Sequence, residues 1–258
     1  MLDQTGQHNS ATGWAYIITP DLSFRFNRHF SVSALVPWYA MLNAFVPKTV
    51  DGVKTYPLTE GKNLLGDTIT VGTYELPHNN LNYEATASVG FPTGDSRFGL
   101  SANTETYNIT NHLDYVIGPF DPDIEIGEGN SSNLVNRVVK KPYVAVGPLA
   151  NFQAGSSVDL PLGLNLDIEA YEELPIGNQN VYGTVTRKNK KGKSVTTQVL
   201  EGEGAVEDNG INTELDLPIG THLMLTGTYE RSLRQDLDTA AVGITWVLRK
   251  PKIKAGIE

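Results

Sequence analysis

A two-residue alternation, held for longer than a soluble strand needs, constrains this chain most. From Trp14 to Phe26 one parity reads Trp14, Tyr16, Ile18, Pro20, Leu22, Phe24 and Phe26; the other reads Ala15, Ile17, Thr19, Asp21, Ser23 and Arg25. After the polar turn Asn27, Arg28 and His29 the pattern resumes. Phe30, Val32, Ala34, Val36, Trp38, Ala40 and Leu42 then oppose Ser31, Ser33, Leu35, Pro37, Tyr39 and Met41. Successive side chains of a strand point to opposite faces, so one face of each run is apolar and the other mixed or polar. Soluble strands run about 5–6 residues, whereas a tilted membrane-crossing strand needs about 9–11. Two such runs in succession predict a transmembrane β-barrel.

Composition narrows the alternatives. The chain is 258 residues long, 40% hydrophobic and carries a net charge of -9. The modest hydrophobic share fits a barrel, because interior polar residues dilute the lipid-facing ones. No stretch approaches the ~18 uninterrupted apolar residues of a membrane helix. The acidic balance argues against nucleic acid as the main partner. There are no cysteines, which excludes disulfides, thiolate metal sites and a cysteine nucleophile. Met1, Leu2, Asp3 and Gln4 form neither a basic nor an apolar leader segment, so an exported chain is expected to start here in processed or truncated form.

The alternation recurs along one domain, 1–258. It is clear at Tyr83–Phe91, Tyr107–Tyr115, Phe120–Ile126, Val144–Ala154, Leu164–Ile168, Ile211–Leu217, Leu223–Tyr229 and Val242–Leu248, and ambiguous in facing at Gly66–Leu76. Short connections are expected at Asn27–His29, His78–Asn80, Ile117–Pro119, Pro161–Gly163 and Pro218–Gly220. Longer ones are expected at Asn43–Leu65, Pro92–Asn103, Asn130–Lys141 and Gly177–Asp208, with a brief one at Ser232–Asp236. Short turns at one rim and long loops at the other are the outer-membrane pattern. About eleven crossings are visible, an odd number, whereas bacterial single-chain barrels have even counts. The expected fold is therefore all-β, an antiparallel up-and-down barrel of about twelve strands. Its first strand is expected to be missing or weakly formed within residues 1–12, and a basic tail covers 250–258.

The run from Leu81 to Phe91, followed by Pro92, Thr93, Gly94 and Asp95, resembles the hallmark of a Gram-negative outer-membrane barrel family. That family is described as a transporter or as the MetA-pathway of phenol degradation. Leu65, Gly66 and Asp67 opening a strand, and Tyr107 to Gly118 followed by Phe120, are similar to it as well. The resemblance implies an outer-membrane location and passage of small, aromatic-type solutes, and brings no catalytic residues. One departure stands out. Such barrels end on an aromatic residue, whereas here Trp246 is followed by Arg249, Lys250, Lys252 and Lys254.

The interior parity is predominantly acidic. Lumen-lining candidates are Asp21, Arg25, Glu84, His112, Asp114, Asp121, Asp123, Glu125, Asp167, Glu169, Glu214, Asp216, His222 and Glu230. A carboxylate wall favours cations or polar neutral solutes; simple solvation of a polar interior, without throughput, is the plainer explanation of the same face. Asp121, Asp123 and Glu125 share one face, but no calcium-loop glycine spacing surrounds them, and no metal or cofactor is expected. Arg187, Lys188, Lys190, Lys191 and Lys193 crowd a hairpin expected to rise above the membrane, where they could meet lipopolysaccharide phosphates. The five histidines lack metal-ligand spacing, and no Gly-x-Ser-x-Gly elbow accompanies them, so an enzyme is not expected. The sequence thus points to a porin-like channel in the cell outer membrane. Its partners would be membrane lipid, lipopolysaccharide and small solutes, with a homo-oligomer or protein complex left open. A non-conducting structural barrel is the alternative, and a soluble all-β binding domain or lipid hydrolase ranks below it.

Overall fold

The computed structural model describes residues 1–46, 48–50, 53–55, 57–131, 144–177, 180–188, 194–203 and 207–247. Its strands in chain order are β1 (Leu2–Asn9), β2 (Gly13–Arg25), β3 (Phe30–Leu35), β4 (Trp38–Phe45), β5 (Lys48–Val50), β6 (Val53–Thr55), β7 (Leu58–Leu65), β8 (Thr68–His78) and β9 (Leu81–Phe91). They continue as β10 (Thr106–Tyr115), β11 (Phe120–Ser131), β12 (Val144–Asp159), β13 (Asn165–Pro175), β14 (Asn180–Lys188), β15 (Ser194–Glu203), β16 (Asp208–Ile219), β17 (Leu223–Ser232) and β18 (Leu237–Trp246).

All neighbouring wall strands are antiparallel. Two of the wall strands are broken. β2 pairs β4 through Ala15–Ile18 and β3 through Asp21–Arg25, so β3 and β4 are halves of one strand interrupted at Val36 and Pro37. β7 and β8 are likewise halves of the next, interrupted at Gly66 and Asp67, where the Gly66 N–H donates to the Pro37 carbonyl at 2.8 Å. Counted this way the wall is a closed barrel of twelve strands. The β5–β6 hairpin lies between β4 and β7. The β14–β15 hairpin follows β13 and pairs β12 above it, through Val144–Val146. That is the rising hairpin expected around residues 181–200; its tip at 189–193 lies outside the described residues, as does the basic tail.

β1 completes the barrel. It pairs β2 from Leu2↔Pro20 to Asn9↔Gly13 and β18 from Leu2↔Trp246 to Asn9↔Thr239. The expectation that this strand is missing or weakly formed within residues 1–12 is thereby corrected. It escaped notice because its outer face is Leu2, Gln4, Gly6 and His8, which carries no apolar rhythm. Neighbours supply what it lacks: the Tyr16 hydroxyl donates to Gln4 Oε1 at 2.7 Å, and His8 meets the Trp14 ring edge-on.

Two further corrections concern the region after β4. Residues 43–45 and 58–65, expected to be loop, are strand, pairing from Trp38↔Leu65 to Phe45↔Leu58. Here the alternation inverts. Gly61 and Leu64 face inward, while Glu60 and Lys62 face out and pair at 2.8 Å. Leu42, expected on the outer face with Trp38, is buried inside the barrel. The β2–β4 register steps from Tyr16↔Met41 to Ile17↔Tyr39, so Ala40 is an extra residue. Such a bulge reverses the facing of everything beyond it.

Elsewhere among the described residues the predicted parity holds, with the exception of His222. That residue, expected on the interior face, lies in an exposed turn because its strand starts only at Leu223. Leu22, Phe24, Val242, Ile124 and Ile126 are among many large apolar side chains left exposed on the outside. A belt of that extent marks a surface solvated by lipid. The turns after β2, β8, β10, β12 and β16 lie at one end of the barrel, with residues 1 and 247. The long connections lie at the other, the loop end.

Candidate functional site

The interior is a lattice fixed by strand register. One row runs Glu75, Glu84, His112, Glu125, Gln153 and Tyr171 across β8 to β13. The next runs Asn82, Asp114, Asp123, Gly155, Glu169, Asn212 and Glu230 across β9 to β17. A third runs Asp121, Ser157, Asp167, Glu214 and Thr228. Acidic side chains therefore crowd one wall, β10 to β16. The opposite wall carries small hydroxyl residues: Thr19 and Ser23 on β2, Ser31 and Ser33 on β3, Thr73 on β8, Thr86 and Ser88 on β9.

Few cations face this wall. Arg25 reaches Glu75 on β8 in an ion pair. His112 Nε2 lies 3.7 Å from Asp114 Oδ1, and Asn82 Nδ2 donates to Asp114 Oδ2 at 2.7 Å. Asp123 is 8% exposed, and both its carboxylate oxygens are buried without a hydrogen-bond partner. One buried oxygen each of Asp121 and Asp167 is in the same condition. A cavity of about 430 Å³ inside the barrel is lined by Glu84, His112, Asp114, Glu125 and Glu169 among others. Among the described residues no three carboxylate or imidazole groups are arranged to hold a metal ion.

Of the sequence-predicted interior residues, Asp21, Arg25, Glu84, His112, Asp114, Asp121, Asp123, Glu125, Asp167, Glu169, Glu214, Asp216 and Glu230 all sit on inward-facing strand positions. Asp121, Asp123 and Asp167 come together, while Asp21 and Arg25 stand apart on β2. Glu230 belongs with Glu173 and Asp208, two buried acids nearer the loop end that the parity argument did not single out. His222 sits in the turn before β17, where its Nδ1 pairs with the Val247 carbonyl at 2.9 Å. Tyr39, on the parity opposite Trp38, is buried inside.

Sequence reasoning missed the loop between β9 and β10, which folds into the barrel. Leu100 is buried against Ala15, Tyr39 and Leu42, with Phe98 and Leu64 beside them. Asp67, at the break between β7 and β8, holds this loop. Its Oδ1 accepts from the Gly94 N–H at 2.9 Å and its Oδ2 from the Ala102 N–H at 3.4 Å, while its own N–H donates to the Leu100 carbonyl at 3.1 Å. Gly94 fits because it has no side chain: a Cβ there would lie 2.5 Å from the Leu100 carbonyl oxygen and 2.7 Å from the Gly66 carbonyl carbon. The two phrases singled out in the sequence, Leu65–Asp67 and Pro92–Asp95, are thus the two sides of one clamp. At its rim Arg97 Nη2 donates to Asp95 Oδ2 at 3.0 Å, which holds the guanidinium above its ordinary pKa.

Several inward glycines serve the wall differently. Asn151 on β12 lies over Gly127 on β11, Asn108 on β10 over Gly129, and Tyr171 on β13 over Gly210 on β16. Each long side chain occupies the space of an absent Cβ and lies along the sheet.

The fold is that of outer-membrane porin-like barrels. A COG4313 outer membrane channel from Pseudomonas putida F1 superposes with a TM-score of 0.61 at 10% identity, covering 96% of this chain and 92% of that one. The NanC porin superposes with a TM-score of 0.55 at 9% identity, covering 96% of this chain and all of that one, 100%. No protein-family model matches the sequence, and no curated protein matches it either.

Proposed function

We propose that this protein is an outer-membrane channel through which small solutes pass passively, with a preference for cations and polar neutral molecules. The acidic wall of β10 to β16, facing a hydroxyl-lined wall inside a closed barrel, carries this reading. Carboxylates within low-dielectric walls focus a negative potential that draws cations and repels anions. The end with short turns is then periplasmic and the loop end extracellular, in contact with lipid and lipopolysaccharide. The loop that packs Leu100 inside favours one second reading, a barrel too filled to conduct. The test is a planar-bilayer recording in a salt gradient. Wild type should give a reversal potential of cation-preferring sign. The combined D167N, E169Q, E214Q and D216N variant should lose most of it, and high salt should blunt it. Anion preference or an unchanged reversal potential removes these residues from the path, and no conductance at all favours the filled barrel.

A further inference from the structure

Among the described residues His112 is the single histidine on an inward strand position. His8 lies on the outer face of β1, His78 ends β8, and His29 and His222 sit in turns. The register fixes what surrounds it. His112 on β10 stands directly opposite Glu84 of β9 and directly opposite Glu125 of β11. On its own strand Asp114 faces the same way, and the imidazole Nε2 lies 3.7 Å from Asp114 Oδ1. The other oxygen of that carboxylate accepts from Asn82 Nδ2 at 2.7 Å. All three acids, with Glu169 of β13, line the same cavity of about 430 Å³ as His112. Glu75 of β8 lines it too and is paired with Arg25 of β2. Asp121 and Asp123 on β11 and Asp167 on β13 lie within electrostatic reach of the ring. On β12 the row offers the neutral Gln153, and Tyr171 on β13 ends it. The His112 side chain is 30% exposed, so protons reach it from the lumen.

An imidazole at this point changes the charge of the wall where its neighbours do not. A guanidinium such as Arg25 stays charged, and carboxylates ordinarily change charge near about pH 4. Histidine is the side chain whose ordinary pKa lies between about pH 5 and 8. We propose that His112 sets the ion preference of the channel according to pH. Neutral, it leaves the wall its full negative charge. Protonated, it places one positive charge among Glu84, Asp114 and Glu125 and weakens the pull on cations. The inference rests on the channel reading and names what regulates the acidic wall. A single charge counts here for two reasons. Residues directly opposite on paired strands have Cβ atoms about 4.5–5.5 Å apart, inside a Debye length. Low-dielectric walls also focus the potential along the lumen.

The test is planar-bilayer recording of the full chain in a potassium chloride gradient, at about pH 8 and at about pH 5.5. In wild type the cation-to-anion permeability ratio, read from the reversal potential, should be lower at the acidic pH by roughly twofold or more. H112N, which stays neutral, should give one ratio at both pH values. H112K, a cation at both, should give a ratio below that of H112N at the alkaline pH. Heat-modifiable gel mobility checks that each variant is a folded barrel, and if H112K does not fold, H112N decides alone. Three results overturn this proposal and leave the channel standing: a wild-type ratio that is the same at both pH values, an H112N ratio that still falls in acid, or a folded H112K no less cation-preferring than H112N. No current at either pH overturns the channel and this proposal together.

Discussion

Replacing Asp67 with alanine should unlatch the interior loop, and the geometry fixes how far. The carboxylate accepts one well-formed N–H bond from Gly94 at 2.9 Å and one longer bond from Ala102 at 3.4 Å. A hydrogen bond to a charged group contributes about 1.5–3 kcal/mol, and a stretched one roughly 1 kcal/mol or less. The D67A loop should therefore be destabilised by about 2–4 kcal/mol, which raises its open population by roughly 30- to 700-fold at a factor of ten per 1.4 kcal/mol. Leu100 and Phe98 still anchor the loop by burial, so the barrel itself should survive. Arg97 supplies the readout, because trypsin reaches the bond after it only when the loop leaves the clamp. When reclosing is fast relative to cleavage, the cleavage rate follows the open population. Intact refolded D67A should be cut after Arg97 at least tenfold faster than wild type, and D67N, which keeps a neutral acceptor, should fall between. Equal cleavage rates in folded wild type and D67A would show that Asp67 does not hold the loop.

Two further outcomes test the wall. L166R or L225R, on the lipid-facing parity, should cost about 2–4 kcal/mol near the midplane in a lipid refolding assay, and N165R or T226R, on the inward parity, much less; equal penalties would contradict the facing. Deleting Leu2–Asn9 removes the ladder partner of both β2 and β18. Unsatisfied backbone groups in lipid cost several kcal/mol each, so the shortened chain should fail to show folded gel mobility in vesicles, and normal folding would overturn the closure.

The interior face of most wall strands was legible in the sequence because strand facing has a period of two and lipid tolerates little error in it. β11 illustrates this: Asp121, Asp123 and Glu125 inward, Phe120, Ile124 and Ile126 outward, as read. Legibility ended where the outer face met something other than lipid. β1 hides its strand because Gln4 and His8 lean on Tyr16 and Trp14. β7 reads as loop because its Glu60 and Lys62 face outward while its apolar side packs on the folded-in loop. Leu42 was misplaced by a single bulge residue that no periodicity marks. The clamp was half visible. Its two phrases stood out as local patterns, but a contact between residues 67 and 94 depends on a wall break that composition does not announce.

The side chains laid over Gly127, Gly129 and Gly210 separate two properties that a thin wall would otherwise bind together. Asn151, Asn108 and Tyr171 can lie flat on the inner wall because each of these glycines carries a hydrogen atom in place of a side chain. Adding one methyl at Gly127 would lift Asn151 toward the axis without altering strand number or the outer belt. The space inside the barrel can then change by single small substitutions on the inner face, while the fit to the membrane is set separately on the outer one. A barrel built this way is graded in calibre by its smallest residues.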